Sequence, residues 1–387
     1  MVAVIEKLRK QLNLSLDVII GILVFSECVS RLEGFPSDGF LVTVVNAMQL
    51  VLYVLLVIQV VLFRYSLNTV VIAVVSVMIF IMGWLTTHNA VYIRNILLIL
   101  AVGTIPFERT LKAMRYGMIA TVVVGTVSVV LGLASSQQFR RGGVSLGFVH
   151  PNQLSLILTI ILLTWLAENR KHFSLKKLAG VSLLALISYG ITRSRTPLLI
   201  IFAALVFSIL QMHRHRYRYR YFAVVAAVVP MCCLALSVLT AVFLFSSNLV
   251  NQLDLLFSNR IWLNWYAFSN HTVTLFGQNI DFTLGTGTVY NTLRGIGNNS
   301  ITVDNSYVIS LLELGLIPTL IYLMWNSYSL AHLSNMGEYY LMSIGILLCI
   351  YAMFESQLLD AYFNFVLLAT YSVGNKKIYS KSNGGNG

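Results

Sequence analysis

The sequence predicts an all-α polytopic membrane protein with about twelve transmembrane helices and one large loop between helices 9 and 10. Of its 387 residues, 57% are hydrophobic and only 10% are charged, and the mean hydropathy is +0.80. Soluble globular domains carry about 25% charged residues, so this composition excludes that class. A lipid bilayer leaves no water to bond an open backbone, so the long apolar runs should be helices.

Twelve apolar runs are candidates for spans, at residues 14–32, 40–63, 66–85, 90–107, 113–134, 151–167, 177–192, 197–212, 221–246, 306–330, 339–355 and 358–373. The first run contains Asp17 and Glu27 and lacks a small-residue cleavage pattern, so we interpret it as a span and not a signal peptide. The predicted organisation is helices 1–9 over 1–246, an exoplasmic loop over 247–305, helices 10–12 over 306–373 and a disordered cytoplasmic tail over 374–387.

The basic residues form small clusters between the apolar runs, although the net charge is +12. Nucleic-acid binding would require a single basic patch, so we expect no nucleic-acid partner. With both termini cytoplasmic, most basic residues lie in cytoplasmic segments, as the positive-inside rule requires. The remaining basic residues are all arginines, whose planar fork suits bidentate contact with phosphate: Arg31, Arg94, Arg140, Arg141, Arg193, Arg195, Arg260 and Arg294.

The four cysteines, Cys28, Cys232, Cys233 and Cys349, all lie within apolar runs. A thiol in such a run is most often a small core side chain. We therefore expect no disulfide framework, no metal site and no cofactor.

The segment TRSRTP, residues 192–197, places Arg193 and Arg195 in a tight turn before Pro197, which is typical of a helix start. Either arginine could simply extend to lipid headgroups. For Arg193 the two interpretations stay open, whereas for Arg195 we favour a functional role.

Within the large loop, the segment NRIWLNWYAF has apolar residues at helical spacing and predicts an amphipathic helix at the membrane surface. Its aromatic residues are typical of an interfacial belt. Arg260 at its start would face a phosphate at that surface. The glycines that follow, from Gly277 to Gly297, lack a nucleotide-binding pattern and predict flexible turns.

Two short segments contain candidates for proton transfer. Asp304 or Asn305 could cap the next helix, and an aspartate there could also accept a proton from a sugar hydroxyl. A carboxylate in water is a weak base, so Asp304 should be partly buried. His150, before Pro151, is a second acid/base candidate or a hydrogen-bond donor to sugar, and Arg140 and Arg141 could extend the positive surface.

Charged residues also interrupt the apolar runs, where each is costly. Arg94 needs an acidic partner, and Glu313, Glu355 or Asp360 could supply it. A structural ion pair and a proton relay are both open interpretations.

The segments GFVHPNQLS, TRSRTPLL, NRIWLNWYAF, LFGQNI and DNSYVISLLELGL, within residues 147–316, together resemble the O-antigen polymerase and ligase superfamily, the Wzy-type repeat-unit polymerases of bacterial surface polysaccharides. The resemblance implies a metal-independent glycosyltransferase on the outer face of the bacterial cytoplasmic membrane. It would join undecaprenyl-pyrophosphate-linked oligosaccharides, as donor and acceptor, into an exopolysaccharide or capsule. The other implied partners are membrane lipid and a chain-length regulator.

The resemblance also implies roles for individual residues. Arg195 and Arg260 match arginines that hold the pyrophosphate, with Arg193 beside them. Asp304 stands where the ligase branch has an essential histidine, which favours a polymerase and makes Asp304, with His150, the catalytic candidate. The expected sugar contacts are Asn152, Asn305 and Tyr307.

A transporter is the alternative, either a flippase for lipid-linked oligosaccharides or another secondary carrier. Such a protein typically has internal repeats and broken helices around a midplane site. Here no repeat is apparent in the sequence, and the polar candidates gather on the predicted outer side. These two features favour chemistry at the outer surface.

Overall fold

A computed structural model describes residues 2–33, 39–63, 65–136, 142–213, 220–243, 247–256, 259–280 and 303–374. Within these ranges the chain is helical without β-strands, and Leu32 and Phe148 form an isolated β-bridge. The helices in order are α1 Val2–Val29, α2 Phe40–Leu62, α3 Leu67–Thr87, α4 Val91–Val102, α5 Phe107–Val130, α6 Pro151–Glu168, α7 Leu175–Thr192, α8 Arg195–His213, α9 Arg220–Val238, α10 Asn248–Leu256, α11 Arg260–Asn270, α12 Ser306–Ile309, α13 Leu316–Asn335, α14 Tyr339–Tyr351 and α15 Val366–Gly374. Short π-helical turns follow α9 at Leu239–Phe243 and α12 at Ser310–Leu314.

The predicted membrane class is confirmed by the length and exposure of the apolar helices. In the described part of the chain, seven are long and apolar enough to cross a membrane: Phe40–Leu62, Leu67–Thr87, Phe107–Val130, Pro151–Glu168, Leu175–Thr192, Arg195–Met212 and Ala223–Phe243. The outer helices α2 and α3 expose many large side chains, including Leu50, Val61 and Leu85. A surface this apolar suits lipid and not water. By contrast, 72% of the residues of α6 are buried inside the protein.

The prediction of one continuous helix over 306–330 is wrong, because the backbone breaks at Gly315. That residue has φ +92° and separates the π-helical turn from α13. Two bonds hold the segment before Gly277 against the break: the backbone N–H groups of Leu316 and Ile317 donate to the carbonyls of Thr274 and Leu275. A flexible turn at Gly277 is therefore not what the structure has. The later glycines of the loop lie outside the described residues.

Three other predicted spans are shorter than expected. The run at 90–107 forms only Val91–Val102, the run at 339–355 ends at Tyr351, and the run at 358–373 is helical only from Val366. Between Ala352 and Phe365 the chain forms a series of turns instead of helix. This turn segment, residues 352–365, is central to the candidate site.

The most extensive helix contacts in the described residues join α1 with α5, α9 with α13 and α5 with α6. Several connections meet at one end of the bundle, which we call the site end: residues 31–33, 142–150, 193–194, 259–280, 303–305 and 352–365. The predicted helix at NRIWLNWYAF is confirmed as α11, whereas its position in the membrane surface stays a prediction. Residues Arg140, Arg141 and Arg294 and the tail from 375 lie outside the described ranges.

Candidate functional site

Asp304 and Asn305 stand at the start of α12 and have different surroundings. The Asn305 side chain caps the helix, because its Oδ1 accepts bonds from the N–H groups of Tyr307 and Val308 at 3.0 and 3.2 Å. Its amide donates to Ser237 Oγ at 3.1 Å. Asn305 is therefore the N-cap, which the sequence left open between the two residues. The Asp304 carboxylate is turned to another partner.

That partner is Arg260, the first residue of α11. Its Nε lies 3.3 Å from Asp304 Oδ2, and the two side chains are 15% and 22% exposed. Asp254 fixes the start of α11, because its Oδ1 accepts bonds from the N–H groups of Ile261 and Trp262 at 2.7 and 3.1 Å. The long loop between α9 and α12 thus brings a guanidinium and a carboxylate together at a capped, partly shielded position.

His150 contributes an imidazole next to this ion pair. It is the N-cap of α6, and its Nδ1 accepts a bond from the N–H of Asn152 at 3.1 Å. Burial lowers the pKa of His150, while the nearby charge of Asp304 raises it and that of Arg260 lowers it. The imidazole is therefore neutral at neutral pH, with its proton on Nε2 because Nδ1 is an acceptor. Of the two interpretations from sequence, this geometry favours hydrogen-bond donation.

The turn that contains Arg193 and Arg195 is joined to the His150 segment. Ser194 Oγ donates to Asn152 Oδ1 at 3.0 Å, and Val144 N–H donates to the Ile191 carbonyl at 2.8 Å. Arg193 ends α7 with a left-handed φ of 54°, and Arg195 opens α8. Both arginines are exposed. The structure thus places this turn beside the residue that leads into α6, with two exposed guanidinium groups at the site end.

The three predicted sugar contacts differ in their surroundings. Asn305 and Tyr307 are only 2% and 4% exposed, and Tyr307 Oη donates to the Cys349 carbonyl at 2.9 Å. Both side chains have their polar atoms bonded inside the protein, so a sugar would have to displace these bonds. Asn152 is only half-buried, and its Oδ1 accepts the bond from Ser194. Of the three, Asn152 is therefore the best placed to contact a sugar.

Glu355 is a further acidic candidate, which the sequence predicted to be either an ion-pair partner for Arg94 or part of a proton relay. It is 6% exposed, and its Oε1 has no hydrogen-bond partner among the described residues. Burial raises the pKa of Glu355 to about 8; Arg260 and Arg31 act to lower it, and Asp304 acts to raise it. Glu355 therefore belongs to the electrostatic surroundings of the Arg260–Asp304 pair.

Polar side chains hold the turn segment in place. Ser306 Oγ donates to the Glu355 carbonyl and accepts a bond from Leu358 N–H at 3.2 Å. On the other side, Asn95 donates to the Leu359 carbonyl at 2.6 Å and accepts from Ala361 N–H at 2.9 Å. These bonds connect the segment to α12 and α4 and fix the backbone that presents Glu355.

A second charged network borders the segment. Arg94 Nη1 donates to Glu27 Oε1 at 2.7 Å, and its Nη2 lies 3.7 Å from Asp360 Oδ1. Arg31 lies 3.9 Å from the other Asp360 oxygen and 4.7 Å from the centre of the Phe363 ring. Of the acidic partners predicted for Arg94, Asp360 is confirmed; Glu27 was not anticipated.

The site end therefore combines an arginine paired with an aspartate, a neutral histidine, a buried carboxyl group and two exposed arginines. Guanidinium groups could bind an anion here, and the carboxyl groups could exchange a proton with a hydroxyl. In the described part of the chain, no group of three or more His, Cys, Asp or Glu side chains could hold a metal ion. Comparison of the whole chain with protein-family models and with curated proteins finds no match.

Proposed function

We propose that this protein polymerises undecaprenyl-pyrophosphate-linked oligosaccharide repeat units on the outer face of a bacterial cytoplasmic membrane, within a bundle that crosses the membrane twelve times. The observation that supports this proposal most directly is the Arg260–Asp304 pair at the site end. It supplies a partly shielded cation for a leaving phosphate, held by a carboxylate at the end of the bundle where the other polar candidates lie. The apolar outer helices would admit a lipid-linked substrate from the side.

In this reaction Arg260 and Arg195 bind the pyrophosphate of the growing chain, with Arg193 next to them on the exposed turn. When the bond between the anomeric carbon and the phosphate oxygen breaks, negative charge develops on the pyrophosphate. A preorganised guanidinium stabilises that charge without reorganisation. Arg260 suits this role because its helix start is capped and its charge is partly shielded from solvent.

The incoming repeat unit supplies a hydroxyl that attacks the anomeric carbon from the opposite side. Asp304 is the base that the sequence suggested for this hydroxyl, and His150 is suited to donate a hydrogen bond to a sugar oxygen. Asn152 lies next to both the histidine and the arginine turn and would help to orient the acceptor. One displacement of this kind inverts the anomeric configuration.

Arg260→Lys tests the anion-binding role. We expect kcat/KM for polymer formation to fall at least about tenfold, because lysine is a point charge that cannot bind phosphate through two parallel bonds. The assay uses purified protein in vesicles with lipid-linked repeat units extracted from cells. Arg109→Lys is the matched control, since Arg109 pairs with Asp17 at 2.9 Å at the opposite end of the bundle.

Wild-type rates in both the Arg260→Lys and Arg195→Lys variants would contradict the pyrophosphate role. Loss of activity in a chelator would overturn the metal-independent scheme. If the vesicles instead move single repeat units across the membrane without joining them, the protein is a transporter.

A further inference from the structure

Neither acid/base candidate from the sequence is well placed to take a proton. Asp304 is already engaged by a cation, because its Oδ2 lies 3.3 Å from Arg260 Nε. His150 accepts a backbone bond on Nδ1 and therefore carries a proton on Nε2. An effective general base needs a free lone pair and a pKa near the pH at which the enzyme works.

Glu355 meets both requirements. Its Oε1 is buried and has no hydrogen-bond partner among the described residues. Ser306, which is two positions from Asp304, holds the backbone that carries Glu355 through bonds to the Glu355 carbonyl and the Leu358 N–H. A buried acceptor without a partner is costly and calls for an explanation. A substrate hydroxyl would satisfy it.

The groups around Glu355 also suit a carboxylate that forms transiently. Arg260 comes from α11, Arg31 from the end of α1, and Tyr351 from α14; Asp304 adds a like charge. The two guanidinium groups stabilise the ionised carboxylate, whereas burial and Asp304 oppose it. The balance keeps Glu355 able both to accept and to release a proton.

We propose that Glu355 is the group that accepts the proton from the acceptor hydroxyl, with Asp304 orienting Arg260; this rests on the proposed function. The hydroxyl O–H bond breaks and its proton passes to the Glu355 carboxylate. The oxygen forms the bond to the anomeric carbon, and the electron pair of the broken carbon–oxygen bond leaves on the pyrophosphate. Glu355 then returns its proton to water.

The test compares Glu355→Gln with Glu313→Gln in the vesicle assay. Glu313 is a matched control because it is a partly buried acid that accepts a bond from Asn89 at 2.7 Å, and an amide oxygen can still accept it. We expect Glu355→Gln to lower kcat by about 10²–10⁴ and to leave KM for the lipid-linked donor within about twofold. Glu313→Gln should stay within about twofold of the wild type.

The pH profile separates a base from a structural role. Because the pKa of Glu355 is raised to about 8, the wild-type rate should increase with pH up to about 8 as the carboxylate forms. Glu355→Gln should lose this limb, and Glu355→Asp should keep a shifted one. A limb that persists in Glu355→Gln, or a kcat within threefold of the wild type, would overturn the proposal.

A second arm needs no substrate and so distinguishes this proposal from the proposed function. The folded protein holds the Glu355 proton more tightly than the unfolded chain, so stability should fall as pH rises from about 4.5 to 8. Glu355→Gln should flatten this fall in the unfolding midpoint measured in detergent. An unchanged slope would contradict the assignment, whereas absence of polymer from the wild type with a flattened slope would contradict only the polymerase.

Discussion

Asp304 and Asn305 are adjacent in the chain, yet only one of them could occupy the cap of α12 at low cost. The cap position is 2% exposed, and a neutral amide there accepts bonds from the backbone and donates to Ser237. An ionised carboxylate buried to the same extent would need a cation beside it. Asp304, one residue earlier, has that cation in Arg260. Residue type alone allowed either assignment, and burial decides it.

Gly315→Ala should destabilise the protein strongly, because the backbone and the space at this position both exclude a side chain. Its φ of +92° is strained for any other residue, at roughly 1–3 kcal/mol. An added Cβ would also lie 2.2 Å from the backbone nitrogen of Gly277. We expect a clear decrease in the unfolding midpoint in detergent.

Gly337→Ala is the control that separates these two causes. Gly337 also has a positive φ, of +76°, but an added Cβ there meets nothing within 4 Å. Its decrease in midpoint should be less than half of that for Gly315→Ala. Equal decreases would mean that the backbone conformation, and not the contact with Gly277, causes the loss of stability.

Helix bounds were predictable from the sequence where polar residues or proline end an apolar run. The run at 40–63 forms Phe40–Leu62, and the run at 151–167, which begins at Pro151, forms Pro151–Glu168. The break at Gly315 lies in a run without such a signal, because it depends on the close approach of Gly277. The turns at 352–365 depend on bonds from Ser306 and Asn95, which are distant in sequence.

Arg170→Ala should lower the stability of the protein, because Arg170 joins the start of α5 and the connection before α14 at the end opposite the site. The guanidinium side chain is 1% exposed and lies 3.1 Å from Glu108 and 2.8 Å from Glu338. Removal of the cation leaves two acids without their shared partner, which should cost roughly 3–5 kcal/mol. Thermal unfolding in detergent measures the effect. Lys171 is the exposed neighbour of Arg170, and Lys171→Ala should change the free energy of unfolding by less than about 0.5 kcal/mol. A similar loss of stability in both variants would contradict the role of Arg170 as a shared ion-pair partner.

Across the whole molecule, the sequence indicated several residues of the site but not the acid that we favour as its base. Arg260 and Asp304 were predicted to act together, and they form an ion pair. Arg195 was predicted from its turn, which lies beside Asn152. Glu355 was interpreted as an ion-pair partner of Arg94 or as part of a proton relay within the membrane. Its place in this site was missed, because an acid in an apolar run gives no indication of which helix ends surround it. Its neighbours come from α1, α11 and α14.

The proposed function requires the site end to face outward, and the basic residues give a physical reason to expect it. Lys171 lies at the opposite end, in the connection from α6 to α7, where the positive-inside rule retains lysine in the cytoplasm. Ser136, exposed in the connection from α5 to α6, lies at the site end. In a chain with its four cysteines replaced by alanine, Ser136→Cys should react with a membrane-impermeant maleimide in intact cells. Lys171→Cys should react only after permeabilisation. The reverse pattern would place Arg260 and Asp304 on the cytoplasmic side, where a polymer destined for the surface could not be assembled.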